Sequence, residues 1–180
     1  MVFPEAVTTL WTDLEAARAE VLAEVDGISQ AQADWKPGEK DWSLGEIVHH
    51  LTVAEIATGK LTTKLTREAE AAGTLAALPA DLAFKPMPPM PPGPAEAPAV
   101  VWPQHGKPIA ELLAEMRAVR ARSRQSIEKL ATLDPRPLVF KHFRFGDLDL
   151  SQWWQLQADH DRIHLAQLRD VKATRGFPGA

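Results

Sequence analysis

The chain has 180 residues, of which 45% are hydrophobic, with a formal net charge of −4 and a pI near 5.9. This length and composition suffice for a buried core, so we predict one domain over residues 1–180. The lack of cysteine excludes disulfides, thiolate metal ligands and a cysteine nucleophile, and the acidic balance predicts no nucleic-acid partner. With no export-like N-terminus and no long apolar run, we expect a cytoplasmic protein without a membrane segment.

The first two long segments carry apolar residues at helical spacing. The first helix is predicted from Pro4, a favoured first-turn residue, to a stop at Asp26-Gly27, and a short helical turn follows over 29–35. The second helix begins at Ser43, because Ser43-Leu44-Gly45-Glu46 has the form of a capping box. The charged residues of the first helix are predicted largely on its solvent side: Asp13, Glu15, Arg18, Glu20 and Glu24.

Two adjacent histidines follow in the second helix. His50 lies beside Ile47 and Leu51 on the inward apolar arc, whereas His49 is rotated by about 100° toward its edge. We therefore predict His50 as a metal-ligand candidate, with a packed or hydrogen-bonded neutral imidazole as the alternative. For His49 we expect an exposed or half-buried structural role.

A proline-rich segment (residues 79–108) holds ten of the fifteen prolines of the chain. That density excludes a helix or an inner strand and predicts a long, partly extended surface connection. Its apolar residues, including Phe84, Met90 and Trp102, predict that part of it packs on the bundle or a second subunit, or borders a pocket. A PxxP-type ligand for a partner protein is the alternative.

The second half of the chain contains two more amphipathic helices. The third is predicted over about 108–131, with Arg117, Arg120, Arg122 and Arg124 on a solvated face. Residues 140–150 are predicted as a structured loop or short extended piece, and the fourth helix begins near Ser151. It ends before Gly176, with a frayed tail over about 172–180. Four such segments predict an all-α four-helix bundle.

His160 and His164 are four residues apart, so their imidazoles project from one face of the fourth helix. Together with His50 they would place three neutral imidazoles at one end of the bundle. Three histidine ligands leave one tetrahedral position open, as in catalytic zinc sites, although imidazole also suits nickel, copper and iron. Such an ion would make hydroxide available at neutral pH, or deprotonate a thiol, which must come from outside this cysteine-free chain.

Other side chains near these histidines are candidates for orienting the imidazoles or lining the pocket. They are Glu46, Trp153, Gln157 and Gln167. A capping role explains Glu46 equally well, and the glutamines have an exposed position as the alternative. Asp159 and Asp161 flank His160, and because neighbours on a helix diverge we expect both to face solvent.

Two motifs resemble the DinB/YfiT-like family of metalloenzymes. The run Trp42-Ser43-Leu44-Gly45-Glu46-Ile47-Val48-His49-His50-Leu51 is similar to the family's Trp-Ser-x-x-Glu-Ile-x-x-His-Leu. The stretch Phe145-Gly146-Asp147-Leu148, followed by His160-Asp161-Arg162-Ile163-His164-Leu165-Ala166-Gln167, resembles its closing Phe-Gly turn and His-x-x-x-His-x-x-Gln. The resemblance extends from about Trp11 to Leu168.

The resemblance implies an up-down-down-up four-helix bundle with a divalent metal, zinc or nickel, on His50, His160 and His164. It further implies a homodimer and a thiol-dependent S-transferase that acts on a small-molecule substrate with a low-molecular-weight thiol such as bacillithiol, mycothiol or glutathione. The proline-rich segment departs from the family's shorter connections.

Two other functions remain open. One is a metal-dependent hydrolase, which would use the same ligands. The other is a non-catalytic metal-binding bundle that acts as an interaction or sensing module, which a fourth protein ligand would favour. His105 and His142 are the spare histidines for that role, and both are expected in loops by chance.

Overall fold

The computed structural model describes residues 3–93 and 96–179; Pro94 of the predicted proline-rich segment and Ala180 of the predicted frayed tail lie outside the described residues. The elements run α1 (Glu5–Glu24), α2 (Gln30–Asp34), α3 (Leu44–Ala71), a 3₁₀ turn (Ala99–Val101), α4 (Ile109–Leu130), β1 (Val139–His142), β2 (Gly146–Asp149) and α5 (Leu150–Ala173). The four long helices pack together, α3 chiefly on α4 and α1 chiefly on α5. The fold is a four-helix bundle, as predicted.

Reciprocal side-chain caps start the two helices that carry the histidines. Ser43 Oγ accepts the Glu46 amide at 3.2 Å while the Glu46 carboxylate accepts the Ser43 amide at 2.8 Å, so the predicted capping box is confirmed. Asp149 and Gln152 form the same box ahead of α5. The fourth long helix therefore starts at Leu150, next to the predicted Ser151.

Two apolar clusters, one at each end of the bundle, form the core. The first contains Val21 of α1, Ile47 of α3, Met116 of α4 and Leu168 of α5, and the second contains Leu10, Leu65, Ile127 and Trp154 of the same helices. At the first cluster α1 and α5 end, whereas α3 and α4 begin. The helix directions are therefore up-down-down-up, as predicted.

A charged layer (Arg18, Glu55, Arg120 and Asp161) separates these two clusters, with one residue from the middle of each long helix. All four residues are at most 5% exposed. The predicted solvent positions of Arg18, Arg120 and Asp161 are therefore wrong. Two arginines and two carboxylates can be buried together because each charge finds an opposite charge within hydrogen-bond distance.

The bonds of the charged layer join all four long helices. Arg18 donates to both Asp161 oxygens at 2.9 Å and pairs with Glu55 Oε2 at 2.9 Å. Arg120 donates to Glu55 at 2.9 and 3.2 Å, to Asp161 at 3.3 Å and to the Leu14 carbonyl. Such bidentate, desolvated pairs fix the relative register of the helices.

The up-down-down-up order requires the chain to return along the whole bundle between α3 and α4. The 28 residues of α3 span about 42 Å, a distance that about 14 residues of extended, proline-rich chain can cover. The connection runs from Ala72 to Pro108, more than twice that length. The surplus chain folds over one side of α3 and α5, where it forms a wall of the cavity described below.

A two-stranded antiparallel hairpin precedes α5, where a loop or short extended piece was predicted. Val139 pairs with Asp149 and His142 with Gly146, whose φ of +73° gives the left-handed turn that glycine adopts most easily. The hairpin places its aromatic residues beside the start of α5. Trp153 Nε1 donates to the Phe140 carbonyl at 3.1 Å.

The end of the chain is docked on the bundle, which corrects the expected fraying from about residue 172. The helix α5 continues to Ala173. Beyond it, Phe177 packs edge-on against Trp35 with ring centroids 5.5 Å apart, and Gln32 donates to the Pro178 carbonyl. Within residues 3–93 and 96–179, none of the helices has the length and apolar character needed to cross a membrane.

Candidate metal centre

The imidazoles of His50, His160 and His164 meet between α3 and α5, near the first apolar cluster. Nε2 of His160 lies 3.0 Å from Nε2 of His50 and 3.0 Å from Nε2 of His164. Within the described residues these three form the group of side chains whose donor atoms are close enough to share one ion. The structure thus brings together the three predicted ligands; their metal binding stays a prediction.

Hydrogen bonds at the opposite ring atoms fix two of the three imidazoles. Nδ1 of His50 lies 2.8 Å from the Val101 carbonyl, which can only accept, so this nitrogen carries the proton. Nδ1 of His164 lies 2.7 Å from Oε1 of Gln167, which favours the same tautomer. In the neutral rings the Nε2 lone pairs of His50 and His164 then both point toward His160.

This convergence fits a metal ion better than a hydrogen-bonded network. A neutral His160 has at most one proton on Nε2, which cannot fully serve two lone pairs 3.0 Å away. Two nitrogens on one tetrahedral zinc, at about 2.0–2.1 Å from the metal, lie about 3.3 Å apart. The two spacings of 3.0 Å that involve His160 are close to that value, and all three donor nitrogens lie within 4.8 Å of one another, so the donor set suits a divalent ion that accepts imidazole.

All three imidazoles are held neutral, the form that ligates a metal. Burial lowers the pKa of His50, although its bond to Val101 offsets part of the effect. Burial, then the neighbouring His164 and His50, hold the pKa of His160 well below its usual range. Burial and the charge of His50 lower the pKa of His164 to about 4, against the opposing bond from Gln167.

Of the four predicted supporting residues, Gln167 contacts a histidine ring directly. Glu46 bonds to the Ser43 amide and pairs with Lys36 at 3.2 Å, so its capping alternative is correct. Gln157 donates to Thr58 Oγ1 at 3.0 Å, and both it and Trp153 line the cavity beside the histidines.

His49 is buried, 6% exposed, and its expected exposed or half-buried position is wrong. Its Nδ1 accepts the Gln104 amide at 2.9 Å. The proline-rich segment covers the ring, and the helical period could not show this because the covering residues are 55 positions away. Asp159, expected to face solvent, is half-buried and pairs with Arg162 at 3.5 Å.

A cavity of about 1110 Å³ opens above the three histidines. The proline-rich segment contributes Val100, Val101 and Trp102 to its lining, and the hairpin contributes Phe140 and Phe143. The predicted packing of the proline-rich segment thus takes the form of a pocket border. The cavity exceeds the size usual for one drug-sized ligand, about 300–1000 Å³.

The sequence missed three features of this site. The Val101 carbonyl is a backbone atom with no sequence signal, and it reaches His50 across the crossover. Trp42 packs on His50 with ring centroids 4.7 Å apart; its place at the start of the motif that resembles the family, one residue before the capping box, was the available signal. His142 lines the cavity, although its loop position had suggested a chance location.

Comparison with known proteins identifies the family and supports the fold. A model of the DinB superfamily matches residues 13–168. The uncharacterized protein YuaE of Bacillus subtilis (strain 168) is 24% identical over 157 residues, covering 87% of this chain and 93% of that protein. The solved structure of TT2238, described as a four-helix bundle protein, matches with a TM-score of 0.63 and 21% identity, over 91% of this chain and 98% of its own.

A second solved structure is that of YfiT from Bacillus subtilis. It is described as a probable metal-dependent hydrolase with an unusual four-helix bundle topology. It matches with a TM-score of 0.59 and 17% identity, over 99% of this chain and 92% of its own. At these identities the two structures support the fold of this chain, and they leave its activity to be argued from its own residues.

Proposed function

The chain belongs to the DinB superfamily, and from this premise and its three converging imidazoles we propose that it is a metal-dependent enzyme. Its specific activity in this proposal is the transfer of a low-molecular-weight thiol to a small electrophilic substrate. Zinc or nickel is the proposed ion, bound by His50, His160 and His164.

The observation that carries the proposal is the open side of the three-histidine group. Among the described residues no fourth side chain joins the group, which leaves a coordination position for a ligand from solution, whereas structural zinc sites are closed by four protein ligands. All three histidines line the cavity, so a ligand from solution would reach such an ion through it. A divalent ion bound there would lower the pKa of a thiol or water, so that a nucleophile forms at neutral pH.

The residues of the chain have two tasks around that ion. Val101 and Gln167 hold the rings of His50 and His164 so that their Nε2 atoms stay directed at one point. The aromatic walls keep the nucleophile in an apolar environment, in which it is poorly hydrated and therefore more reactive. The cavity volume of about 1110 Å³ has room for a thiol beside a second molecule, and this favours transfer between two substrates.

Hydrolysis is the second candidate, because YfiT is described as a probable metal-dependent hydrolase and the same three ligands would serve. Water would then replace the thiol as the nucleophile. A homodimer and a cytoplasmic location remain predictions beside either activity.

The first test measures bound metal in the purified, tag-free protein by elemental analysis. We expect about one zinc or nickel per chain, lost in His50→Ala and in His160→Ala while the helical circular dichroism persists. His105→Ala is the matched control, since this exposed histidine lies outside the group and should leave the metal content unchanged. A wild type that binds no divalent metal after reconstitution contradicts the proposal.

The second test separates the two activities. The metal-loaded protein is incubated with 1-chloro-2,4-dinitrobenzene and glutathione, cysteine or bacillithiol, and separately with p-nitrophenyl acetate without thiol. Thiol-dependent release of chloride supports the transferase, and thiol-independent release of nitrophenol supports the hydrolase. If metal removal unfolds the bundle and neither reaction occurs, the metal is structural.

A further inference from the structure

The mouth of the cavity holds most of the large apolar side chains that this protein leaves exposed. Eight such side chains are exposed among the described residues. Six of the eight line the cavity: Met90, Val100, Trp102, Phe140, Phe143 and Ile163. Exposed apolar groups concentrated at one concave surface mark a binding site rather than random surface composition.

One polar ring is held among these apolar walls. The His142 imidazole, at the end of β1, lies 4.5 Å from the Phe143 ring, 5.2 Å from Phe145 and 5.2 Å from Trp153, measured between centroids. It lines the same cavity as the three histidines of the metal centre. A polar group in such a position fixes the orientation of an otherwise apolar ligand.

The hairpin turn determines which nitrogen of His142 carries the proton. Its Nδ1 accepts the backbone amides of Arg144, at 3.2 Å, and of Phe145, at 3.3 Å. An imidazole nitrogen that accepts hydrogen bonds has no proton, so the neutral ring carries its proton on Nε2. Within the described residues Nε2 has no hydrogen-bond partner, which leaves one oriented donor on an aromatic wall.

We propose that His142 Nε2–H is the hydrogen-bond donor for the substrate, and that the substrate is a largely aromatic molecule with a carbonyl-type oxygen. The aromatic part packs on the aromatic residues that line the cavity, among them Trp102 and Phe143, and the oxygen accepts from His142. This inference rests on the proposed function for its chemistry. When the nucleophile attacks the carbon bonded to that oxygen, the π electron pair of the carbonyl moves to oxygen, and a preorganised donor stabilises the charge.

The test compares two probes that differ in one acceptor: 4-fluoroacetophenone, and 4-fluoroethylbenzene, in which a methylene replaces the carbonyl. Both are titrated by ¹⁹F NMR against the protein as purified and after zinc loading. We expect the wild type to bind the ketone about fivefold more tightly, the effect of one hydrogen bond. In His142→Phe an aromatic ring remains but the hydrogen-bond donor is lost, so the ratio of the affinities for the ketone and for 4-fluoroethylbenzene should fall to about one.

His105→Phe is the matched control, because it makes the same change outside the cavity and should keep the preference. If His142 has a purely structural role, His142→Phe would bind both probes more weakly by the same factor, and this result would overturn the proposal. So would an undiminished preference in His142→Phe, or no binding of either probe to the wild type. Affinity that falls as protein concentration rises would mean that a second copy occupies the mouth, which equally overturns it.

A measurement on the wild type alone covers the case in which His142→Phe fails to fold. Long-range ¹H–¹⁵N correlation spectra report the tautomer of each histidine. A proton on Nε2 of His142 is the expected result, and a proton on Nδ1 would contradict the proposal. Since neither experiment needs a metal, a failure of metal binding would overturn the proposed function without affecting these results.

Discussion

At the residue scale, one amide sets the orientation of one ligand. Gln167 lies one turn beyond His164 and accepts from its Nδ1 at 2.7 Å. We predict that Gln167→Leu lowers zinc affinity about 10- to 100-fold, because the His164 ring loses the bond that keeps its Nε2 aimed at the other imidazoles. Competition with a chromophoric chelator measures the affinity.

The matched variant is Gln167→Glu, which keeps an acceptor at the same position and should retain zinc affinity. The helical circular dichroism of both variants should match the wild type, since Gln167 is only half-buried. If Gln167→Leu binds zinc as tightly as the wild type, the bond to His164 has no role in ligation.

The histidines of the site could be predicted because helical spacing is a local property. His160 and His164 face one way whatever surrounds them, and the apolar arc of α3 directs His50 inward. The approach of His50 Nε2 to within 3.0 Å of His160 Nε2 depends on packing between residues that are 110 positions apart in the chain. The family resemblance indicated this contact, whereas the helical spacing could not. The Val101 carbonyl could not be predicted, since every residue has the same backbone acceptor.

At the scale of elements, side chains of the bundle hold the proline-rich segment in place. Gln152 and Gln155 donate to the carbonyls of Pro86 and Lys85, and Arg144 Nη2 donates to Pro91 at 2.7 Å and Gly93 at 2.8 Å. Prolines cannot donate and rarely bond to one another, so their free carbonyls need such partners.

We predict that Arg144→Leu increases amide hydrogen exchange at Val101 and Trp102, whose amides donate to the Pro98 and Ala99 carbonyls, about fivefold or more, because one guanidinium nitrogen satisfies several carbonyls of the segment. Hydrogen-exchange mass spectrometry on the peptic peptides of the segment measures it. Arg124→Leu, on the exposed face of α4, is the control and should leave these amides unchanged. Equal exchange in both variants would show that Arg144 does not fasten the segment.

The long helices could be predicted because helix caps and apolar periodicity depend on residues that are close together in the sequence, such as Ser43 and Glu46. The hairpin was not, since its four-residue strands are too short for an alternating pattern. The path of the proline-rich segment could not be predicted from the sequence either, because the side chains that contact it are distant in the chain. Gln152, for example, bonds to Pro86 from 66 residues away.

At the scale of the whole molecule, the charged layer joins the four long helices between two apolar clusters. The burial of this layer could not be predicted from the sequence, because charged side chains are usually exposed. Asp161, which compensates the charge of Arg18, is 143 residues away in the chain. The layer also adjoins the three-histidine group, since Asp161 follows His160 in α5. Helix register and the positions of the three histidines are therefore linked through one set of ion pairs.

The buried ion pairs of the charged layer predict that the stability of the protein depends on pH. Burial alone would raise the pKa of Glu55, but Arg18 and Arg120 outweigh it and bring the pKa below 4.5, its ordinary value. Unfolded chain thus binds the proton more tightly than folded protein. The stability from ionised Glu55 is fully present above pH 4.5 and is lost as pH falls through the lower, folded-state value.

We therefore predict that Glu55→Gln lowers the free energy of unfolding by about 3–5 kcal/mol at pH 7, because two buried arginines lose a charged partner. Below pH 4.5 the wild type loses the same interaction, so the difference between the two proteins should shrink. Urea denaturation at pH 7, 5 and 3.5 measures both. Glu128→Gln, in an exposed pair with Arg124, should change stability by less than about 0.5 kcal/mol. A difference that stays constant with pH would mean that Glu55 is not ionised in the folded layer, and that packing alone accounts for its effect.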